Sequence, residues 1–166
     1  NGFLFLGKRP KSLSGDQIET KDVIKFEINR IEKLQKNRYK NILLLQATCP
    51  FRDTKKINFS LKKIKSKKFD SVVSVARVDA EHPLRMKKFK SKYLVNYINQ
   101  KKENMKPRQS LPKVYLRSGS IYLFKREVLM KSNTLVGKKC FGLILKGKEK
   151  INIDTKEQLD YLKLIN

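Results

Sequence analysis

Acidic residues are scarce in this 166-residue chain, where 15 Asp and Glu stand against 40 Lys and Arg, for a formal charge of +25. Taken alone, that excess points to nucleic acid or another polyanion as partner. The distribution argues otherwise. Lysines such as Lys55, Lys56, Lys62, Lys63, Lys65, Lys67 and Lys68 are scattered as on the solvated face of a helix, and no basic stripe with interleaved aromatics is present. Nucleic acid is therefore disfavoured, while an anionic substrate adds to the pressure for positive charge. Cysteine is nearly absent too. Cys49 and Cys140 are too few for a disulfide framework and lack the CxxC or Cys/His spacing of a zinc site, so both read as buried or incidental thiols.

Long apolar runs are also missing. The opening run, Phe3, Leu4, Phe5 and Leu6, is four residues long, with no basic stretch before it and no cleavage site after it. It is neither a signal peptide nor a membrane span, and the default location is the cytoplasm. A chain that enters such a run directly from Asn1 reads as starting at a cut edge. Internal repeats and low-complexity tracts are absent, and the length suits a single domain over residues 1–166.

What is present is alternation. Val23, Ile24, Phe26, Ile28, Ile31 and Leu34 recur mostly at three- and four-residue steps, which predicts an amphipathic helix over Thr20–Gln35. Ile42 to Leu45 form a continuous apolar run, as in a strand buried on both faces of a parallel sheet, and Pro50 follows. Helical spacing returns over residues 53–67, a β-branched strand over 70–78, a strand over 119–125, a short helix over 126–131, a strand over 141–145 and a last helix over 155–165. This order predicts an α/β fold with a mostly parallel sheet and right-handed crossovers. Residues 80–112 break the pattern and read as an excursion from the main sheet.

Ligands of doubly wound sheets bind beyond the carboxyl ends of strands, so polar residues just after an apolar run are the first candidates. Gln46, Thr48 and Arg52 occupy that place, although Thr48 could equally cap the helix that follows. Arg108, Gln109, Tyr115 and Arg117 form a second cluster, whose arginines offer fixed forks of donors for carboxylate or phosphate. Asn152 and Asp154 form a third, read as a short strand delivering Asp154 to the last helix. Asp154 there is either a helix cap or a ligand for Mg²⁺.

In this order the three clusters resemble the acylneuraminate cytidylyltransferases, the makers of CMP-sialic acid and its relatives. Arg9-Pro10 with Leu13 and Asp16 looks like the family's arginine-proline segment, and Thr20 falls at a nucleotide-contacting Ser or Thr. Gln46-Ala47-Thr48-Cys49-Pro50-Phe51-Arg52 is similar to the LQPTSPLR signature, and Asp70 to Val75 to the DSVVSV strand. Arg108-Gln109 with Leu111-Pro112 matches the RQxLP segment that recognises the sugar acid. Gly119 to Tyr122 matches the strand after it, and Ile153-Asp154-Thr155 the IDT of the metal site.

The resemblance implies a three-layer, Rossmann-like nucleotidyltransferase fold and transfer of CMP from CTP to a nonulosonic acid, with Mg²⁺ as cofactor. It assigns Arg9 and Thr20 to the nucleotide; Gln46, Thr48, Arg52, Arg108, Gln109 and Tyr115 to the substrate; Arg117 and Asp154 to catalysis; and Asp154 and Asn152 to the metal. It also implies a homodimer, joined through residues 80–112. Departures accompany it. The family's opening strand and phosphate-wrapping loop have no counterpart, for Gly7-Lys8 does not replace them. Asn152 stands where the family has its first metal aspartate, Leu116 where an arginine follows the tyrosine, and Ser118 where an Asn precedes the glycine. A catalytically degenerate homologue that only binds sugar acid or a partner is the alternative these departures permit, and a basic nucleic-acid-binding domain is the one that charge alone permits.

Overall fold

A computed structural model describes residues 6–78, 80–100 and 102–164. The opening run from Phe3 to Phe5 and the last helix's end at Ile165 lie outside these residues. The helix α1 covers Thr20–Gln35, as the spacing predicts, and buries Ile24 and Ile28, one turn apart. Strand β1 (Asn41–Leu44) leads to α2 (Thr54–Lys65), where Asp53 accepts the Lys55 N–H at 2.8 Å. That bond satisfies one of the orphan donors of the first turn. Lys62, Lys63 and Lys65 close α2, complementing the negative end of its dipole.

Strand β2 (Ser71–Arg77) is the centre of the molecule, with residues 71–74 all buried. After the excursion come β5 (Tyr115–Lys125), α3 (Arg126–Ser132), β6 (Cys140–Leu145) and α4 (Lys156–Leu164). The excursion holds a separate hairpin of β3 (Lys87–Lys90) and β4 (Tyr93–Asn96), with Ser91 in the left-handed region at its turn.

The main sheet has the order β1-β5-β2-β6. Strands β1 and β2 both pair antiparallel with β5, and β2 pairs parallel with β6. Three strands therefore point one way, but a mostly parallel sheet is not what forms: two of the three pairings are antiparallel. The cause is β5, which re-enters from the excursion between β1 and β2 and runs opposite to both. The expectation that β1 is buried on both faces also fails. Among the described residues it is an edge strand, with Leu43 36% exposed and Leu45, just after it, 40%.

Alternation along β2 and β5 builds a core on each face of the sheet. On one face Val73, Tyr122 and Phe124 pack with Ile24 and Ile28 of α1 and Leu129 of α3. On the other, Val72, Ile121 and Leu123 pack with Ile64 of α2 and with Leu143 and Leu145 of β6. Phe124 and Leu129 are wholly removed from water, and each such side chain contributes about 1.5–3 kcal/mol.

One irregularity shapes the site. Val73 pairs with Tyr122 and Val75 with Arg117, so the residues 118–121 of β5 face Ser74 alone. The bulge is held by Ser74 Oγ, which accepts from Ser118 Oγ at 2.7 Å and from the Ile121 N–H at 2.8 Å. Gly119 takes φ +75 within it. Bulges of this kind re-aim neighbouring side chains and recur next to active sites.

Candidate active site

Chain direction places the carboxyl ends of β1, β2 and β6 on one edge of the sheet, and the segments singled out in the sequence gather along it. The loop after β1, the bulge in β5 and the approach to α4 touch one another. The Ile153 N–H donates to Thr48 O at 2.8 Å, fastening the last segment to the first. Arg52 donates from its guanidinium to Gln46 O and, at 3.3 Å, to Ser120 O. It thus ties the loop to the bulge through backbone oxygens.

Cys49, one of the two thiols that the sequence marks as buried or incidental, is 1% exposed and stands at the junction. Its Sγ lies 3.5 Å from Ser118 O and 3.4 Å from Asn152 Oδ1. Burial pushes its thiol above the ordinary range and the charge of Asp154 adds to this, while Thr48 and Arg52 act the other way. Its place directly after Thr48 was the signal that could have marked it. Asn152 Nδ2 in turn donates to Asp154 Oδ2.

The short strand expected at residues 150–154 does not form. A 3-10 turn, Gly147–Lys150, is followed by irregular backbone, because the Ile153 N–H is spent on the loop after β1. Nor is Asp154 the cap of α4. Thr155 Oγ1 accepts from the Gln158 N–H at 3.3 Å, and Gln158 Oε1 accepts from the Thr155 N–H at 3.1 Å and the Asp154 N–H at 2.7 Å. This reciprocal capping box leaves the exposed Asp154 carboxylate to other work.

A cleft of about 460 Å³ opens beside this junction, lined by Thr20, Gln46, Arg117, Tyr122 and the residues 133–136. Thr20, at the start of α1, Gln46, after β1, and the exposed Arg117, on β5, come from distant parts of the sequence and meet here. Arg9 is exposed and does not line it; Thr48 is exposed at the junction. Tyr115 is 44% exposed and two residues before Arg117, so the pleat puts both on one face of β5. Arg108 and the exposed Gln109 sit in a 3-10 turn, Arg108–Ser110, and Arg108 faces a separate small pocket with Arg77, Val78, His82 and Leu111. His82 is buried and pins that turn. The Leu84 N–H donates to its Nδ1 at 3.2 Å, so Nε2 carries the proton given to Pro112 O at 2.9 Å.

A larger cleft, of about 740 Å³, lies at the opposite edge, at the amino end of β1, with Arg38, Lys40, Lys65, Lys67, Lys125 and Lys131 on its walls. It lies away from the carboxyl ends of β1, β2 and β6, where ligands of α/β sheets bind, and at the carboxyl end of β5 alone. Its Arg126 is bound at 2.8 Å through both Nε and Nη2 to Glu32.

Among the described residues no group of three or more His, Cys, Asp and Glu side chains could hold a metal. The Asp154 carboxylate nevertheless suits Mg²⁺, which takes one or two carboxylates and completes its octahedron with waters and substrate phosphates. The residues fit such a one-carboxylate site, with the amide oxygen turned toward Cys49.

No family model matches the chain. The chain is similar to the post-translational flagellin modification protein B of Campylobacter coli, with 26% identity over 157 residues, covering 93% of this chain and 63% of that protein. The chain therefore spans less than two thirds of the length of the curated relative it matches, over nearly the whole of its own sequence.

Proposed function

We propose that this chain carries the sugar-acid and metal side of a cytidylyltransferase site, in a protein that transfers CMP from CTP to a nonulosonic acid and releases pyrophosphate. The observation that carries the reading is the convergence at one sheet edge of Gln46, Thr48, Arg117, Asn152 and Asp154, which the sequence keeps far apart. Helices on both faces of the sheet agree with a three-layer, Rossmann-like nucleotidyltransferase. The relative's role in modifying flagellin agrees with supply of an activated sugar for attachment to protein.

In this reading Gln46 and Thr48 bind hydroxyls of the sugar acid, Arg108, Gln109 and Tyr115 hold its far end and carboxylate, and Arg9 and Thr20 contact the nucleotide. Arg52 braces the loop that presents Gln46. The anomeric hydroxyl oxygen of the sugar acid attacks the α-phosphorus of CTP and loses its proton to solvent; as the new P–O bond forms, the bond from the α-phosphorus to the bridging oxygen breaks and pyrophosphate leaves. Arg117, next to the bulge on β5, supplies positive charge where negative charge grows on the phosphate oxygens. Mg²⁺, held by Asp154 with Asn152 beside it, would neutralise phosphate charge when bound.

Phe89, Tyr93, Leu94 and Tyr97 are 60–77% exposed on the hairpin, a patch of the kind that marks a protein contact. We assign it to a homodimer. No helix among the described residues is long and apolar enough to cross a membrane, and a cytoplasmic location is part of the proposal.

The amide of Asn152 in place of a second carboxylate favours one other reading, a homologue that binds the sugar acid without turning it over. Mg²⁺-dependent pyrophosphate release from CTP, measured on the intact protein with a panel of nonulosonic acids, separates the two. Release with one of them supports the enzyme, and saturable sugar-acid binding without release supports the degenerate homologue. The net charge of +25 and the cationic cleft at the opposite edge favour nucleic acid. That reading requires an affinity that falls steeply with salt and survives Arg108→Ala.

A further inference from the structure

Two departures from the family's pattern touch each other. Cys49 stands where the signature has serine, Asn152 stands where the metal site has aspartate, and their side chains meet at 3.4 Å. The contact has a direction. An ionised carboxylate accepts hydrogen bonds and donates none, so Asp154 takes the amide NH₂ of Asn152. The amide oxygen is thereby turned to Cys49, whose single S–H is shared between that oxygen and Ser118 O. Reversing the amide would set its oxygen against the Asp154 carboxylate and its NH₂ against a sulfur that accepts only weakly.

A cation on Asp154 asks for the reverse orientation. To join Asp154 as a ligand, Asn152 must turn its oxygen outward, giving up both the bond to Asp154 and the thiol's bond to that oxygen. The backbone cannot relax to spare it, because the next residue, Ile153, is fastened to Thr48 O.

We propose that Cys49 and Asn152 form a latch on Asp154. Cys49 is a positioning residue that holds the amide in the cation-free orientation, and so keeps the divalent cation weakly bound until substrate phosphates supply further ligands. The inference rests on the reading of Asp154 as a cation ligand.

The test is the affinity of the intact protein for Mn²⁺ alone, read by electron spin resonance of the free ion, with no turnover required. Cys49→Ala removes the S–H donor, so the amide turns more easily and Mn²⁺ binds about 2- to 10-fold tighter, the range of one modest hydrogen bond. Cys49→Ser installs a stronger donor at nearly the same volume, and Mn²⁺ binds more weakly than to the unaltered protein. Should the alanine variant fail to fold, the serine variant still decides. In an Asn152→Asp background there is no amide to turn; affinity rises at least about tenfold and Cys49→Ala no longer tightens it.

Unchanged or weaker Mn²⁺ binding in Cys49→Ala, or tighter binding in Cys49→Ser, overturns the latch while leaving Asp154 as a ligand. Asp154→Ala is the separate control. Mn²⁺ binding that survives it removes the cation from Asp154, and the reading beneath the latch goes with it.

Discussion

Gln46 and Gly119 stand so close that a Cβ on the glycine would collide with Oε1 of the glutamine. Gly119 also holds φ +75, which L side chains rarely adopt. The amide of Gln46 reaches the cleft across the one residue of the bulge that has no side chain.

Gly119→Ala is expected to lower stability by about 2 kcal/mol, from the left-handed backbone and the displaced glutamine together. Urea unfolding measures it. In a Gln46→Ala background the cost should shrink to the backbone part. An equal cost in both backgrounds would show that the contact between the two residues contributes nothing.

The pairing of Glu32 with Arg126 predicts a pH dependence. The Arg126 guanidinium, joined by the Tyr39 N–H, holds the Glu32 carboxyl below its ordinary value of 4.5. A depressed carboxylate contributes stability that is fully present above its unfolded value and lost as pH falls through the folded one. The bridge joins α1 to the start of α3, and both side chains are largely screened from water. Glu32→Gln should cost about 1–2 kcal/mol at pH 7 and flatten the fall in stability below about pH 4.5. A variant with an unaltered acid limb would remove Glu32 from the acid transition.

The two arginines of the second cluster should fail differently in kinetics. Arg117 lines the cleft with Thr20 and Gln46, so Arg117→Ala is expected to lower kcat by about 10²- to 10³-fold with little change in KM. Arg108 faces its own pocket beside His82. Arg108→Ala should raise KM for the sugar acid about tenfold and leave KM for CTP nearly unchanged. Equal effects on both substrates would count against its place at the sugar acid.

The hairpin gives a prediction about assembly. Phe89 and Leu94 face each other across β3 and β4 and are 77% and 60% exposed. The double variant Phe89→Asp, Leu94→Asp should sediment as a monomer where the unaltered protein is a dimer. Its unfolding free energy as a monomer should change by no more than about 0.5 kcal/mol, because neither side chain is in the core. A variant that still dimerises places the contact elsewhere.

Local pattern was enough for several elements. The three- and four-residue spacing of Ile24, Ile28, Ile31 and Leu34 gave α1 its bounds, since an amphipathic helix needs only one apolar face to be recognised. The β-branched run at residues 71–75 gave β2, and the candidate motifs were visible as polar residues placed after apolar runs. Other features depend on partners remote in the chain. The Ile42 to Leu45 run looks like a central strand, yet among the described residues β1 is an edge, because apolar content is local and neighbour count is not. Residues 150–154 look like a strand and are not one, because a hydrogen bond to Thr48 and the capping box of Thr155 and Gln158 claim their backbone first. The bulge opposite Ser74 left no mark beyond Gly119, since register is decided between strands. Cys49 shows the division most clearly: composition called it a buried thiol, and only folding, by closing 103 residues of chain onto it, set it against Asn152.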